Sequence, residues 1–319
     1  MRYLVIVILV SIAFMTITQS CDGNGTDHLK NRDIYVGTQG VIIDTYDNKF
    51  PSEVYENEDL YFVAKLTNKG AYSTNARFQV SVDDTYMTIS NGNVFTKSIS
   101  LQGKDIFSTF DDSEIVGVPI KVEELLPLQD SHDTKIHLSL CYDYENVAIS
   151  DVCIDTDPYD IAADEKVCDA DSGVAVTGGQ GGPVGVSRIE SRIILEDNSI
   201  RPQYKIFVTN YGSGKVLRYG SSSSVCSGSG TQAGDYNIVE LTDISFSQYH
   251  IGSFNCVPKM LVLDRESSTE NNYITCTLNK GLINRASTPT YRTPLIIELK
   301  YGYYVTQSKD INIKKLYTY

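Results

Sequence analysis

Period-two alternation of apolar and polar residues runs through the chain once its first twenty residues are passed. Leu60, Phe62, Ala64 and Leu66 share one parity against Tyr61 and Lys65, and Ala76, Phe78, Val80 and Val82 repeat it against Arg77, Gln79 and Ser81. Successive side chains of a strand point to opposite faces, so this pattern predicts half-buried β-strands. Asn68-Lys69-Gly70-Ala71 between the two segments is turn chemistry, which makes them an antiparallel unit. Further strands are expected over 40–46, 95–101, 115–122 and 135–144, where Ile136, Leu138 and Leu140 align. The pattern restarts with Val186, Ile189 and 193–195, continues through Tyr204, Ile206 and Val208, and ends in strands over 294–305 and 310–316. Glu123 to Leu126 offers one helical turn, and no long helical periodicity competes.

Many short strands with turn signals between them predict an all-β protein built of sandwiches. Residues 169–183 are glycine-rich and read as a connector, which divides the chain into two tandem immunoglobulin-like β-sandwich domains, 33–168 and 184–319. The halves look related. Each has an alternating strand running into Thr-Asn-x-Gly, at Asn68-Lys69-Gly70 and at Asn210-Tyr211-Gly212, 142 positions later. Asn and Gly tolerate positive φ, so each motif is expected to end its strand in a sharp turn. Residues 218–235 are Ser/Gly-rich and predict a mobile loop unless Cys226 pins it.

The first twenty residues carry a different message. Arg2 is followed by an apolar run from Leu4 to Ile17 and a polar exit at Thr18-Gln19-Ser20, the pattern of an export signal. The run is shorter than the ~20 residues that span a bilayer core. Export predicts an extracellular or cell-surface location with membrane contact only through the N-terminus. Cys21 is then the lipidated first residue of the mature chain, or an ordinary cysteine, free or paired, after a plain cut, or the apolar segment stays on as an uncleaved anchor. Asn24-Gly25-Thr26 is the only glycosylation sequon.

Net charge is −13, which repels nucleic acid and anionic lipid. Tyr is abundant at 22 residues and Trp is absent, a composition suited to half-buried sheet faces.

Six cysteines follow Cys21: Cys141, Cys153, Cys168, Cys226, Cys256 and Cys276. They lack metal-finger spacing, and in an exported chain they predict three disulfides among the fifteen pairings six cysteines allow. A hairpin around Asn146-Val147-Ala148 would set Cys141 opposite Cys153. Three cysteines fall in each half, so if all pair, at least one bridge joins the halves or reaches the connector.

Candidate chemistry is sparse. Ser131-His132-Asp133 has triad residue types, but neighbours in sequence form no relay, and a polar loop is expected. Gly178 to Gly182 matches no phosphate-cradle spacing and reads as linker. Asp155, Asp157 and Asp160 are the candidate ligands for a calcium ion, which takes six to eight oxygens, although the spacing fails the EF-hand pattern. Asp111-Asp112-Ser113-Glu114 is a second acidic cluster. Tyr142, Tyr144, Tyr159, Tyr301, Tyr303 and Tyr304 are expected to be cross-strand pairs, with sugar stacking the alternative.

The strand–Asn-x-Gly–strand units resemble CARDB-like and related immunoglobulin-like domains of archaeal and bacterial surface proteins. Pro51 to Glu56, Asn68 to Tyr72, Val152 to Asp155, Gly179 to Gly181 and Arg201 to Gln203 together resemble an uncharacterised family of secreted proteins from small-genome archaea. The resemblance implies fold and location and carries over no catalytic residue. With no nucleophile, base or metal set converging in the sequence, the expected role is non-catalytic. The protein is expected to be a structural, adhesive or partner-binding component of the cell envelope, contacting other envelope proteins or glycans. The alternative is a filament or surface-layer subunit that self-assembles through strand edges, and a hydrolase is the third reading. No cofactor is expected apart from the candidate calcium.

Overall fold

The computed structural model describes residues 34–317 except 47–49, 90–91, 162–164, 171–172, 229–231 and 265–268. The expected export signal, the candidate lipidation site Cys21 and the candidate glycosylation site Asn24 lie outside the described residues. The first half supplies β1 (Val41–Asp44), β2 (Glu53–Tyr55), β3 (Asp59–Asn68), β4 (Thr74–Ser81), β5 (Met87–Thr88), β6 (Val94–Leu101), β7 (Asp112–Val122) and β8 (Ser131–Ile154). The second supplies β9 (Val174–Ala175), β10 (Val184–Glu196), β11 (Ser199–Asn210), β12 (Lys215–Leu217) and a short helix α1 (Ser222–Ser227). It continues with β13 (Ile238–Ser245), β14 (Phe254–Val257), β15 (Met260–Val262), β16 (Tyr273–Leu278), β17 (Ile283–Asn284) and β18 (Tyr291–Lys314).

These strands form three sheets. An outer sheet of order β1-β3-β7-β5 belongs to the first half, and one of order β14-β16-β11-β10-β9, with β17 on β11, to the second. The third, of order β15-β13-β18-β8-β4-β6, takes strands from both halves. The all-β sandwich architecture is therefore present. The division into two separate domains at 169–183 is not: residues 31–319 form one compact unit whose halves share a sheet.

Two strands of 24 residues make that sharing possible. β8 and β18 pair antiparallel along their whole length, from Ser131 opposite Lys314 to Ile154 opposite Tyr291. No hairpin forms around Asn146; the chain runs straight through it. Every even-numbered residue of β8 from Thr134 to Ile154 is buried, so one face of the central sheet meets both outer sheets. Ile136, Leu138 and Leu140 lie over the first outer sheet, with Phe62, Leu66, Val118 and Phe78 fully or almost fully buried beside them. Ala148, Val152 and Ile154 join Val186, Ile206 and Val208, and Leu295 and Ile297 of β18, to close the second sandwich; all of these residues belong to one continuous core. The predicted strands 294–305 and 310–316 are likewise a single element, β18, despite the polar run from Thr306 to Lys309.

All six cysteines following Cys21 pair. Cys141–Cys226 joins the two halves across 85 positions, Cys153–Cys168 closes 15 and Cys256–Cys276 closes 20. The expected Cys141–Cys153 pairing is replaced because β8 carries both residues on one straight strand, twelve positions apart. Cys226 sits on α1 and holds that helix against the back face of the central sheet, so the loop reading of 218–235 gives way there to a pinned helix.

Candidate functional site

Where the two halves meet, four tyrosines stand in a two-by-two block at the centre of the long strands. Tyr142 is opposite Tyr303 and Tyr144 opposite Tyr301. All four are buried, with neighbouring ring centroids 5.5–6.3 Å apart. Aromatic pairs favour such tilted and edge-on contacts. Burial pushes the pKa of all four hydroxyls above the usual phenol range, so they remain donors.

Each hydroxyl has a defined partner. Tyr144 donates to Asn68 Oδ1 at 2.9 Å and accepts from the Tyr72 N–H at 3.4 Å. Tyr303 donates to Asn210 Oδ1 at 3.0 Å and accepts from the Gly214 N–H at 2.9 Å. The N–H of Val41 donates to Tyr142, and that of Val184 to Tyr301. A shift of 159 positions carries Tyr142 and Tyr144 onto Tyr301 and Tyr303, and their partners correspond as well. The internal repeat read from Asn-x-Gly is thus a local two-fold relation whose axis passes through the tyrosine block.

The motif works differently from the expectation. Neither Asn68, Gly70, Asn210 nor Gly212 has positive φ. Asn68 instead accepts from the Gly70 N–H at 3.2 Å and donates to Tyr72 O at 2.8 Å; Asn210 does the same with Gly212 and Gly214 at 3.1 and 2.9 Å. A Cβ on Gly70 would collide with Gly181 O and the Tyr144 hydroxyl, and one on Gly212 with the Tyr303 hydroxyl. Glycine is required by close approach of the tyrosine.

The glycine-rich connector packs into the same seam. Gly181 O accepts from the Ala71 N–H at 3.0 Å, the Gly181 N–H donates to Gly37 O at 2.9 Å, and Gly37 bridges Gly179. Gln180 is 3% exposed, its side chain bonded to both backbone groups of Val186, and its carbonyl accepts from Asn146 Nδ2 at 2.9 Å. Asn146 Oδ1 in turn accepts from Tyr301. The segment is a clasp rather than a slack linker. Beside it a cleft of about 260 Å³ is lined by Tyr142, Tyr303, Pro183, Tyr211 and Gln307.

The predicted acidic cluster gathers around a cation of the protein's own. Lys166 Nζ lies 3.1 Å from Asp155 Oδ2, 2.6 Å from Asp160 Oδ1, 3.1 Å from Asp169 Oδ1 and 3.2 Å from Asp157 O. Hydrogen bonds to these carboxylates, Asp160 first, hold the Lys166 pKa above its ordinary value. The second cluster is also paired: Asp111 contacts Lys69 and Lys104 at 2.5 and 3.0 Å, and Glu114 contacts Lys97 at 2.5 Å. Hydrogen bonding from Lys69 lowers the Asp111 pKa.

The remaining predicted residues disperse. Ser131 and Asp133 share one face of β8, while His132 points to the other and stacks on Tyr86 at 3.6 Å, so the triad types are pleated apart in a strand. Tyr159 is exposed and Tyr304 half-buried. The seam residues Asn68, Asn210, Asn146 and Gln180 carry no sequence signal of their role beyond the paired Asn-x-Gly, which hints at two of them.

No family model matches the chain, and no curated protein matches it. Among solved structures it is similar to the C-terminal domain of the Streptococcus pyogenes antigen I/II-family protein AspA at 9% identity. That match covers 87% of this chain and all of the other, with a TM-score of 0.18, too low to carry an argument.

Proposed function

We propose that the protein is a non-catalytic, exported component of a cell envelope that works as a rigid partner-binding strut. The supporting observation is the whole-length pairing of β8 with β18. Twenty-four residues at about 3.3 Å each give a spine of roughly 80 Å, shared by both sandwiches. The clasp at 178–182 and the Cys141–Cys226 bridge fasten the halves to one another. Three disulfides suit an oxidising compartment, in keeping with the export signal. No described helix is long and apolar enough to cross a membrane.

Strand-edge polymerisation is the weaker reading because the outermost strands are guarded. β9, β14 and β15 have two to four residues, and the longer β6 turns Lys97 inward onto Glu114. Short edges and inward charges are the devices that block sheet-to-sheet addition. Surface biotinylation of intact cells, with small-angle scattering of the purified protein, tests the proposal. Labelled protein with a scattering curve fitted by one rigid elongated body supports it; cytosolic protein with reduced thiols overturns it.

A further inference from the structure

Asp157-Pro158 is the only Asp–Pro bond in the chain. Its chemistry makes it labile on two counts. The aspartyl side chain reaches its own main-chain carbonyl carbon and closes a five-membered ring, an attack that needs no second molecule. Proline is held through a tertiary amide nitrogen without an N–H, and such a nitrogen leaves readily once it takes a proton.

The fold acts on this bond through its carbonyl oxygen. The Asp160 N–H donates to Asp157 O at 3.1 Å, and Lys166 Nζ donates to the same oxygen at 3.2 Å. The first bond is the ordinary closure of a turn with proline at its second position. The second is not required by the turn, and it brings an ammonium group from nine positions along the chain. Lys166 is fixed there by buried Asp155 at 3.1 Å, Asp160 at 2.6 Å and Asp169 at 3.1 Å. The Asp157 N–H donates to Asp155 Oδ1 at 2.9 Å, so the residue is held on both sides of its α-carbon. Two donors on one carbonyl oxygen, one of them charged, form the arrangement that stabilises an oxyanion in acyl transfer.

We infer that the chain cleaves itself once, between Asp157 and Pro158. A carboxylate oxygen of Asp157 attacks the Asp157 carbonyl carbon, and the π pair of that carbonyl moves onto the oxygen held by Asp160 and Lys166. The tetrahedral centre collapses, the C–N bond to Pro158 breaks, and its electron pair stays on nitrogen, which takes a proton from water. The hydroxide so formed opens the cyclic anhydride left at Asp157. The opened anhydride gives two carboxylates, and its released proton charges the new Pro158 amine, so one water is consumed. The carboxylates around Lys166 hold its pKa above the ordinary value, which keeps it an ammonium donor and not an amine that would capture the anhydride.

The cut lies after Ile154, where β8 ends, and before β9, so it interrupts no strand. The two pieces stay joined by Cys141–Cys226 and Cys153–Cys168, each of which has one cysteine on either side of the bond. The β8–β18 ladder also runs between them. Cleavage thus turns one chain into a two-chain molecule with a reducible joint. No substrate turns over, and the reaction is measured on purified protein whatever its compartment, so it stands apart from the envelope reading.

The test incubates the purified full chain, folded and with its disulfides formed, at neutral pH with protease inhibitors present. Intact mass is expected to rise by one water while the disulfides hold. Reduction is then expected to release two pieces, one ending at Asp157 and the other beginning at Pro158. Asp157→Glu keeps the charge but needs a six-membered ring, and Lys166→Met removes a donor from the oxyanion; each is expected to slow cleavage at least tenfold. Should either variant misfold, the unaltered chain in urea decides the matter, with cleavage expected at least tenfold slower than in the folded state. A chain that remains whole after reduction, a cut at another bond, or equal rates folded and in urea overturns the proposal. An unchanged rate in a folded Asp157→Glu or Lys166→Met variant overturns it too.

Discussion

Tyr144 donates its hydroxyl hydrogen to Asn68 Oδ1 across 2.9 Å, tying the spine of the central sheet to the corner where β3 leaves the first outer sheet. The bond is buried, and Asn68 is itself inaccessible. Loss of the hydroxyl strips a hydrogen bond from Asn68 and leaves the Tyr72 N–H without that acceptor. An unsatisfied buried group costs about 1–3 kcal/mol. Tyr144→Phe is expected to fall in this range in urea unfolding, and Tyr303→Phe to match it, since Asn210 and Gly214 occupy the equivalent places. Equal losses from the two variants check the internal two-fold; a neutral Tyr303→Phe contradicts it.

The glycines of the same motif give a sharper contrast. Gly70→Ala and Gly212→Ala drive a methyl group into a tyrosine hydroxyl that is already fixed by an asparagine and a backbone N–H, and overpacking of this kind costs ~1–3 kcal/mol. Gly252→Ala, where a Cβ meets nothing within 4 Å, is expected to change the melting temperature little. Thermal melts of the three variants separate close approach from backbone freedom as the reason for glycine.

Much of this fold is readable from alternation, and the misreadings have physical causes. β3, β4, β6, β7 and β11 lie close to the expected boundaries because each buries one face only. Asn146 is a turn-former and predicts a break in β8, but its side chain is occupied by Tyr301 and Gln180 in the seam, so the strand continues through it. The polar run from Thr306 to Lys309 predicts a break in β18, but these residues continue the ladder with β8, from Thr306 opposite Ser139 to Lys309 opposite Ile136. The connector's glycines suggest slackness, whereas a Cβ on Gly179 or Gly181 would collide with Gly37 or Ala71. Lys166 at the centre of the carboxylates is invisible in sequence because the contact depends on the loop closure made by Cys153–Cys168.

Alkaline titration should expose the tyrosine block. The folded pKa values of Tyr142, Tyr144 and Tyr301 lie above the unfolded value because burial disfavours the phenolate. A raised folded pKa gives stability that is fully present below the unfolded pKa, near 10, and is lost as pH rises toward the folded value. Phenolate absorbance from the block is therefore expected to rise only above the ordinary phenol range, together with loss of β-sheet ellipticity. A single unperturbed titration with the fold intact would contradict the burial of the block.

Lys166 is the shared partner of three carboxylates, and its removal should destabilise the loop they sit on. Lys166→Gln leaves Asp155, 3% exposed at its side chain, charged beside Asp160 and Asp169. Removing one partner of a fully buried pair costs ~3–5 kcal/mol; here the outer two aspartates remain solvated, so about 2–3 kcal/mol is expected at pH 7. Calcium, a cation for the vacated position, is expected to raise the melting temperature of the variant and leave that of the parent unchanged.

The three disulfides should contribute unequally, in the order of the loops they close. Cross-linking restricts the unfolded chain more as the loop lengthens, which gives roughly 4–5 kcal/mol for the 85-residue Cys141–Cys226 separation and about 3 kcal/mol for separations of 15 and 20. Cys141–Cys226 also fastens α1 of the second half to a strand of the first, so its loss acts on the joint as well as on the unfolded state. Replacing each pair by serine, one pair at a time, and measuring urea unfolding should rank Cys141–Cys226 first. That variant should in addition show faster amide exchange through α1 and the neighbouring part of β4 before global unfolding, while the other two retain parental exchange there. If instead the Cys153–Cys168 variant loses most and α1 keeps its protection without Cys226, the halves are held by the β8–β18 ladder and the clasp alone.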